Sequence, residues 1–391
     1  MTGPLAVYLH IPFCTIKCGY CDFNAYAGMD NLKDAYAAAL VAEVAADRPL
    51  LEGRSVSSIG FGGGTPGEMA PRHIANVIGA LRSAANLVSD AEVSLEANPG
   101  STGGAVLREL HAAGVTRITF GAQSFDADEL RFLDRIHSPE AIRAAVSLAR
   151  AANFRSVGLD LIHGLPGQSV AEWLASVRTA IGLGVDHLSC YALTVEDGTA
   201  LGARVARGEF VMPDGDLLAD MYEAASDALA AAGYVQYELS NWAQPGHESR
   251  HNRAYWTDQD YLALGAGGHG YLAGERYENV AHPRAYIAAV ASSAGPRPAA
   301  VNRYVPGRAT AMSDWFTARL RLIEGFPPEE FAAKFGQTLE TVGNDVLHDM
   351  AGAGVLERGP RVRLTPRGRL LHGEVCARFL AALQENASVA S

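Results

Sequence analysis

Residues 5–21 read LAVYLHIPFCTIKCGYC, an apolar run followed by a loop with three cysteines in eight residues. The apolar residues 6–11 predict a β-strand, and Cys14, Cys18 and Cys21 follow it with the spacing C-x3-C-x2-C. Five cysteines in 391 residues are too few for a disulfide scaffold. The other two, Cys190 and Cys376, stand alone in apolar sequence and are predicted to be core residues. The loop after the first strand is therefore the candidate metal site.

Three thiolates on one loop are an incomplete ligand set for zinc. A structural zinc ion takes four nitrogen or sulfur ligands, usually from two separated pairs, and the sequence has no second cysteine pair. The set suits a four-iron, four-sulfur cluster in which three irons each take a cysteine and the fourth stays open to a small ligand. We therefore predict that Cys14, Cys18 and Cys21 bind a [4Fe-4S] cluster; three thiols without metal are the alternative.

The chain up to about residue 230 alternates short apolar runs with longer helical patterns. This alternation predicts an α/β fold with parallel strands covered by helices. Six such pairs are fewer than the eight of a closed barrel, so we expect a partial parallel (βα)6 barrel, with a doubly wound flat sheet as the alternative. The predicted strands are residues 6–11, 56–61, 92–97, 116–120, 157–162 and 187–192, and the predicted helices are residues 32–49, 74–85, 105–113, 140–152, 170–183 and 216–231.

The pattern changes after residue 233. Residues 234–308 contain short β-like pieces at 235–239 and 261–264 and a glycine-rich segment, LGAGGHGY, at 264–271. We expect this extension to add strands or a lid beside the barrel. Residues 309–383 have the order of a winged helix, three helical patterns followed by a hairpin. The expected domains are therefore the barrel at 1–232, the β-containing extension at 233–308 and a small winged-helix-like domain at 309–391.

The charge distribution argues against nucleic-acid binding. The formal net charge is −11, whereas sequence-independent binding needs a cationic surface. Residues 309–391 hold nine Lys and Arg against ten Asp and Glu, and residues 338–350, in the position of a recognition helix, carry acids and no Lys or Arg. Specific DNA binding is not expected. With no secretory signal and no run long enough to span a bilayer, we expect a cytoplasmic protein, with an organellar location as the alternative and contact at a membrane surface left open.

The cysteine loop resembles that of the radical S-adenosylmethionine (SAM) superfamily. The segment YLHIPFC at residues 8–14 resembles the branch that contains oxygen-independent coproporphyrinogen III oxidase and the HemW-type heme chaperones, and the aromatic residue between the second and third cysteines is Tyr20. The resemblance covers essentially the whole chain. It implies a [4Fe-4S] cluster whose open iron binds the amino and carboxylate groups of SAM, and an electron donor that reduces the cluster.

Several predicted strands end in glycines or polar residues, and a βα barrel binds its ligands at these ends. The glycines of Gly62-Gly63-Gly64-Thr65-Pro66 allow close backbone approach to a ligand, and Glu96 is an acid at an apolar strand end. An ion pair between Arg135 and Asp160 that braces the barrel is a structural alternative to ligand binding by these two residues. By resemblance, the SAM-contacting positions, some of which contact a second SAM in the oxidase, are Tyr8, Tyr20, Gly63, Gly64, Thr65, Glu96, Gln123, Arg135 and Asp160.

Two departures separate this sequence from the oxidase. The oxidase pattern continues C-x3-C-x2-C-x-C, and the position of its further cysteine is Phe23 here. The oxidase also has a longer arm ahead of the cluster, whereas this chain reaches its first cysteine at residue 14. Both departures favour the heme-chaperone branch, with the radical decarboxylation of coproporphyrinogen III as the alternative, and whether the chain is an enzyme stays open.

The heme-chaperone branch also carries an H-N-x-x-Y-W motif, present here as His251, Asn252, Tyr255 and Trp256. Imidazole is a common axial ligand of heme iron, and tyrosine and tryptophan rings can stack on a porphyrin. His269, in the glycine-rich segment, is a competing ligand. The resemblance thus implies that this segment binds heme and that an acceptor protein receives it.

Overall fold

The structure is a computed structural model that describes residues 3–389. Its strands are β1 (Leu5–Ile11), β2 (Phe13–Cys14), β3 (Tyr26–Ala27), β4 (Ser55–Gly63), β5 (Asn86–Ala97), β6 (Arg117–Gln123), β7 (Ser156–His163), β8 (His187–Ala192), β9 (Val235–Glu238), β10 (Asn241–Ala243), β11 (Tyr261–Leu264), β12 (His269–Leu272), β13 (Glu275–Asn279), β14 (Ala300–Tyr304), β15 (Leu356–Glu357) and β16 (Arg363–Leu364). All six predicted barrel strands are present, as β1 and β4 to β8.

The helices alternate with the barrel strands as predicted and then dominate the last part of the chain. Each predicted barrel helix has a counterpart, although residues 32–49 divide into two helices. The α-helices are α1 (Lys33–Ala46), α2 (Arg48–Leu51), α3 (Pro71–Ala84), α4 (Gly104–Ala113), α5 (Ala127–Phe132), α6 (Pro139–Ala151), α7 (Val170–Gly182), α8 (Ala200–Ala206), α9 (Gly215–Ala231), α10 (Arg250–Trp256), α11 (Pro283–Ser292), α12 (Arg308–Arg321), α13 (Pro328–Phe335), α14 (Leu339–Gly352), α15 (Pro366–Leu370) and α16 (His372–Val389).

Twelve strands form one sheet in the order β14-β13-β12-β11-β1-β4-β5-β6-β7-β8-β10-β9. From β11 to β8 the strands are parallel, and the pairs beyond them are antiparallel. The six predicted strands are neighbours in chain order, which excludes the doubly wound alternative because that fold reverses its strand order at a switch point. In the described part of the chain no pairing joins the edge strands β9 and β14. The partial barrel is therefore confirmed.

The barrel strands are buried on both faces, as parallel strands covered by helices require. In β1 every residue is buried except Tyr8, which is half-buried. The two isolated cysteines, Cys190 and Cys376, are buried as predicted.

The extension adds strands at both edges of the barrel. Strand β11 lies parallel to β1, a position that the sequence pattern did not predict, and β12 to β14 continue from it. Residues from α12 to α16, together with Leu239, form a second apolar core centred on aromatic side chains such as Trp315 and Phe379. This unit has the predicted order of three helices and a hairpin, β15 with β16. Within the described residues, no helix has the length and apolar character that a bilayer crossing requires.

Candidate functional site

The three cysteines lie on the loop that leaves β1 at the carboxyl edge of the parallel sheet. Cys14 belongs to the short strand β2, which pairs with β3 and so closes the loop into a turn. The Cys14 Sγ lies 3.4 Å from Thr65 Oγ1, and the Cys18 Sγ lies 3.4 Å from a guanidinium nitrogen of Arg135. All three cysteines are half-buried. Burial raises the pKa of Cys14, and the Thr65 hydroxyl acts against that rise.

Three thiols on one loop are the number of ligands that a four-iron cluster with one open iron takes. Among the described residues, no three His, Cys, Asp or Glu side chains converge closely enough to hold one metal ion. A four-iron cluster binds each cysteine through a different iron, so its ligands need to be spread around a cavity. A Cβ on Gly64 would come within 3.0 Å of the Cys14 Sγ and 2.6 Å of the Phe13 carbonyl oxygen. The cavity beside Cys14 therefore depends on a glycine there.

One cavity brings together eleven of the twelve residues predicted for the cluster and SAM; we call it the cluster cavity. Tyr8, the twelfth, lines an adjoining cavity. The two cavities share Phe23, Gly63 and Glu96 as lining residues. The predicted residues that line the cluster cavity are Cys14, Cys18, Tyr20, Cys21, Gly63, Gly64, Thr65, Glu96, Gln123, Arg135 and Asp160.

The glycine turn after β4 supports the cysteine loop. The Gly64 and Thr65 N–H groups donate to the Ile11 and Phe13 carbonyl oxygens at 2.8 and 2.7 Å. Gly63 has φ +111, a conformation that side chains rarely adopt, and a Cβ there would meet the His10 ring. These N–H groups are thus occupied by the loop, and the turn offers a ligand close backbone approach.

Two carboxyl groups face the cluster cavity from neighbouring parts of the sheet. Removal from bulk water and the charge of Asp160 raise the pKa of Glu96 to about 7. Burial likewise raises the pKa of Asp160 to about 6, against the effects of the Ser189 hydroxyl and the Arg135 charge. These two carboxyl groups favour the binding of a cationic ligand, because a positive charge beside them stabilises their ionised form.

Arg135 and Asp160 do not form the bracing ion pair considered above. No contact between them occurs among the salt bridges of the described residues; the Arg135 guanidinium donates to Asn98 and the Gly121 carbonyl oxygen instead. Gln123 has φ +68 and lies beside a bulge where β6 departs from regular pairing with β7. A non-glycine residue in this region carries backbone strain, which is characteristic of ligand sites.

The second cavity, which we call the aromatic cavity, lies between the barrel and the extension. Three tyrosine rings and two histidines surround it. Tyr255 packs edge-on against Tyr261 with ring centroids 4.8 Å apart. The residues that line the aromatic cavity are Tyr8, His10, Phe23, Asn24, Gly63, Glu96, Tyr255, Tyr261, Gly267 and His269.

The H-N-x-x-Y-W motif is the helix α10, and its four named residues face different surroundings. Tyr255 reaches the aromatic cavity. Asn252 lies in the first turn, where its backbone N–H donates to the hydroxyl of the capping residue Ser249 at 3.2 Å. Trp256 packs against the C-terminal unit, where the Arg321 guanidinium carbon lies 4.4 Å from its ring centroid. His251 lies behind Tyr255 against β4.

Both ring nitrogens of His251 are hydrogen-bonded inside the protein. Nδ1 lies 3.1 Å from the Ser58 hydroxyl and Nε2 lies 2.9 Å from the Tyr255 hydroxyl. Burial lowers the pKa of His251 to about 4, so its imidazole is neutral near pH 7. A Cβ on Gly60 would overlap the His251 ring. The imidazole thus positions the Tyr255 hydroxyl through its Nε2.

Sequence reasoning missed three residues that shape these cavities. Asn98 donates to the Thr65 hydroxyl at 3.0 Å and lines the cluster cavity; its place in the strand end LEANP was the available signal. The Asn24 amide donates to the Ala266 and Ala281 carbonyl oxygens, tying the cysteine loop to the extension. His10 donates to the Asn24 carbonyl oxygen and accepts from the Tyr8 hydroxyl. His10 stands in the YLHIPFC segment, which could have marked it, whereas no local motif marks Asn24, because its amide partners come from the distant extension.

Comparison with known proteins places this geometry in a family. Residues 8–180 match the Radical SAM superfamily and residues 308–371 match the HemN C-terminal domain. The protein named heme chaperone HemW in Mycobacterium tuberculosis is 41% identical over 381 residues, which are 96% of this chain and 95% of the relative. The chain belongs to the HemW family of radical SAM proteins. HemW of Escherichia coli is 36% identical, with 97% of this chain and 98% of the relative covered.

One solved structure of another protein has the same fold as nearly the whole of this HemW-family chain. Coproporphyrinogen III oxidase (HemN) from Escherichia coli, described as a radical SAM enzyme, matches with a TM-score of 0.82. The match covers 97% of this chain and 90% of that one at 24% sequence identity. At this identity the likeness establishes the fold alone, including the extension and the C-terminal unit.

Proposed function

We propose that this chain is a heme chaperone of radical SAM fold that binds a [4Fe-4S] cluster, SAM and heme and passes heme to an acceptor protein. One observation carries the proposal: a tyrosine-walled cavity adjoins the cysteine-lined cluster cavity in a chain of the HemW family. Relatives named heme chaperone align with almost the entire chain, which supports an assignment to the whole fold rather than to the barrel alone.

Cys14, Cys18 and Cys21 are the proposed cluster ligands. A bound cluster with an open iron supplies a single electron to a chelated sulfonium compound. The chain's own contribution is to hold the three thiolates apart and to stabilise their charge. Thr65 and Arg135 serve this second purpose, since each places a donor 3.4 Å from a cysteine sulfur.

SAM is proposed to occupy the cluster cavity, because its sulfonium and ammonium groups are cations and the cavity presents two carboxyl groups. Glu96 lies against the glycine turn: a Cβ on Gly62 would come within 3.2 Å of its Oε1. An ammonium group there would be held by the Glu96 carboxylate beside the cluster. Tyr8 and Tyr20 supply the walls. The other proposed SAM-contacting residues are Gly63, Gly64, Thr65, Gln123, Arg135 and Asp160.

Heme is the proposed cargo, bound at the segment of His251, Asn252, Tyr255 and Trp256. Tyr255 is the member of this group that faces the aromatic cavity. Tyrosine rings around an open slot suit a flat porphyrin, because stacking on its face removes apolar surface from water. His251 supports Tyr255 through a 2.9 Å hydrogen bond.

The oxidase alternative is disfavoured by Phe23. Its side chain is 62% exposed and lines both cavities. An apolar ring in this position provides no thiol next to the cluster. We therefore propose that coproporphyrinogen III is not decarboxylated by this chain and assign no catalytic residue.

The proposal also includes an electron donor that reduces the cluster, a cytoplasmic location and the division of the chain into 1–232, 233–308 and 309–391. The separate apolar core of the last unit supports its boundary. We expect no specific DNA binding, since Glu340, Asp345 and Asp349 are exposed on α14. Contact with a membrane surface stays open.

Two measurements on protein reconstituted with iron and sulfide under anaerobic conditions test the proposal. Heme titration is expected to shift the Soret band and saturate. Incubation with coproporphyrinogen III, SAM and a reductant is expected to give no protoporphyrinogen. Turnover, or a failure to bind heme, would overturn the chaperone assignment.

A further inference from the structure

Three histidines lie close to the aromatic cavity, and they differ in whether a ring nitrogen is available to a ligand. His10 uses both nitrogens, with the Asn24 carbonyl oxygen at 2.9 Å and the Tyr8 hydroxyl at 3.1 Å. His251 also uses both, with Ser58 and Tyr255. Each is buried, at 6% and 5% exposure respectively. Either one would have to give up a hydrogen bond and move before it could coordinate iron.

His269 is different. It lies at the start of β12, its side chain is 72% exposed, and it lines the aromatic cavity. No hydrogen bond to either of its ring nitrogens occurs among the described residues; the nearest charged partner is the Glu278 Oε2, 3.7 Å from Nε2. That separation is too long for a hydrogen bond, so the pair commits neither ring nitrogen. The His269 imidazole is therefore available to the cavity without a change in the fold.

Hydrogen bonds fix the backbone around His269, although its ring nitrogens accept and donate none among the described residues. The Asn279 N–H donates to the Gly268 carbonyl oxygen at 2.9 Å, next to His269. Two residues further back, the Ala266 N–H donates to the Tyr36 hydroxyl at 2.7 Å. The turn needs glycine at 267, where φ is +71 and a Cβ would overlap the Asn24 side chain. Because the backbone at His269 is already fixed, little conformational entropy of the chain is lost there when heme binds.

We propose that His269, and not His251, provides the axial imidazole to the iron of heme bound in the aromatic cavity. This assignment rests on the proposed function. The coordinate bond uses the lone pair of a neutral imidazole nitrogen, and no electron or proton transfer is needed. His251 is then a positioning residue that holds Tyr255 at the cavity wall through its Nε2.

The test uses anaerobically reconstituted full-length protein titrated with heme, followed by optical and electron paramagnetic resonance spectra of the heme iron. His269→Ala is expected to lose the signature of axial imidazole and to weaken heme binding about tenfold or more. His251→Ala is expected to keep that signature, with weaker binding from the freed Tyr255. His348→Ala is the control, because this histidine is exposed on α14 in the C-terminal unit, away from both cavities.

Rescue separates ligation from folding. His269→Gly with added imidazole is expected to regain the spectrum of the unsubstituted protein. An unchanged spectrum in His269→Ala, a loss that imidazole does not restore, or loss of the imidazole signature in His251→Ala would each overturn the assignment. Failure of the unsubstituted protein to bind heme would overturn the proposed function as well, so the two failures are distinguishable.

Discussion

Two ion pairs lie beside the start of α10, and they differ in burial. Glu92 and Arg117 form the buried pair, with Arg117 Nε 3.0 Å from Glu92 Oε2. Glu92 Oε1 also accepts from the Ser249 hydroxyl at 3.2 Å and from the His251 N–H at 3.1 Å. Two residues away, Asp90 pairs with Arg250 at 2.9 Å on the surface. The pairs therefore form a matched comparison of the forces that position the H-N-x-x-Y-W helix.

We predict that Glu92→Ala lowers the free energy of unfolding by about 3–5 kcal/mol, because it leaves the Arg117 guanidinium buried without its counter-charge. Asp90→Ala is expected to destabilise far less than Glu92→Ala, since Asp90 is 63% exposed and water screens its pair. Glu92→Ala combined with Arg117→Met is expected to recover part of the loss, because no buried charge then remains unpaired.

The assay is urea unfolding followed by circular dichroism, with heme titration of each variant under native conditions. Glu92→Ala is also expected to weaken heme binding, as His251 and Tyr255 move with the helix, whereas Asp90→Ala is not. The reasoning would be refuted if Glu92→Ala were no more destabilising than Asp90→Ala, or if the double variant were as unstable as Glu92→Ala alone.

Further predictions concern packing and pH. Gly60→Ala is expected to lower the free energy of unfolding by about 1–3 kcal/mol and to weaken heme binding, because the new methyl overlaps the His251 ring. The control Gly79→Ala, in open space within α3, should instead raise the free energy of unfolding by about 0.5–1 kcal/mol. Equal effects of the two variants in denaturation would contradict this. The raised pKa of Glu96 predicts that SAM affinity rises with pH to about 7 and then levels off, because ionisation is needed to hold a cation. In equilibrium dialysis, Glu96→Gln should lose the rise near pH 7 and keep only the part that Asp160 contributes near pH 6; a flat profile in the unsubstituted protein would count against this. Burial acts to raise the pKa of Glu92, but Arg117 and the His251 N–H hold it below its usual value. The Glu92–Arg117 pair therefore stabilises the fold above about pH 4.5, and this stabilisation is lost as the pH falls further. Acid unfolding should begin at a higher pH in Glu92→Ala, and an unchanged midpoint would argue against this.

The sequence was sufficient for those parts of the molecule whose pattern is local. Apolar runs located the six barrel strands, and a strand end located Glu96, because parallel strands bring their carboxyl ends to one edge. Asp160 lies within its strand, and the family resemblance pointed to it. The parallel pairing of β11 with β1 was not predictable in the same way, since a four-residue strand carries no information about a partner about 250 residues away. The expected Arg135–Asp160 alternative failed for a related reason: Asn98 and the Gly121 carbonyl oxygen compete for the guanidinium.

The histidines illustrate the same limit more sharply. His251 stands in a recognisable motif, and nothing in that motif reveals that Ser58 and Tyr255 occupy both of its ring nitrogens. The availability of His269 depends on the fold of the glycine-rich turn and on β13, which pairs with β12. Hydrogen-bond partners that are distant in sequence therefore decide which imidazole can bind a ligand.

The electron paramagnetic resonance spectrum of the reduced protein, recorded with and without SAM, tests the central claim most directly. Protein reconstituted without oxygen should contain about four iron and four sulfide per chain. We predict a signal from a reduced [4Fe-4S] cluster that changes when SAM is added, because SAM is proposed to bind the iron that Cys14, Cys18 and Cys21 would leave open. Zinc as the sole metal, or a cluster signal that SAM leaves unchanged, would contradict the account.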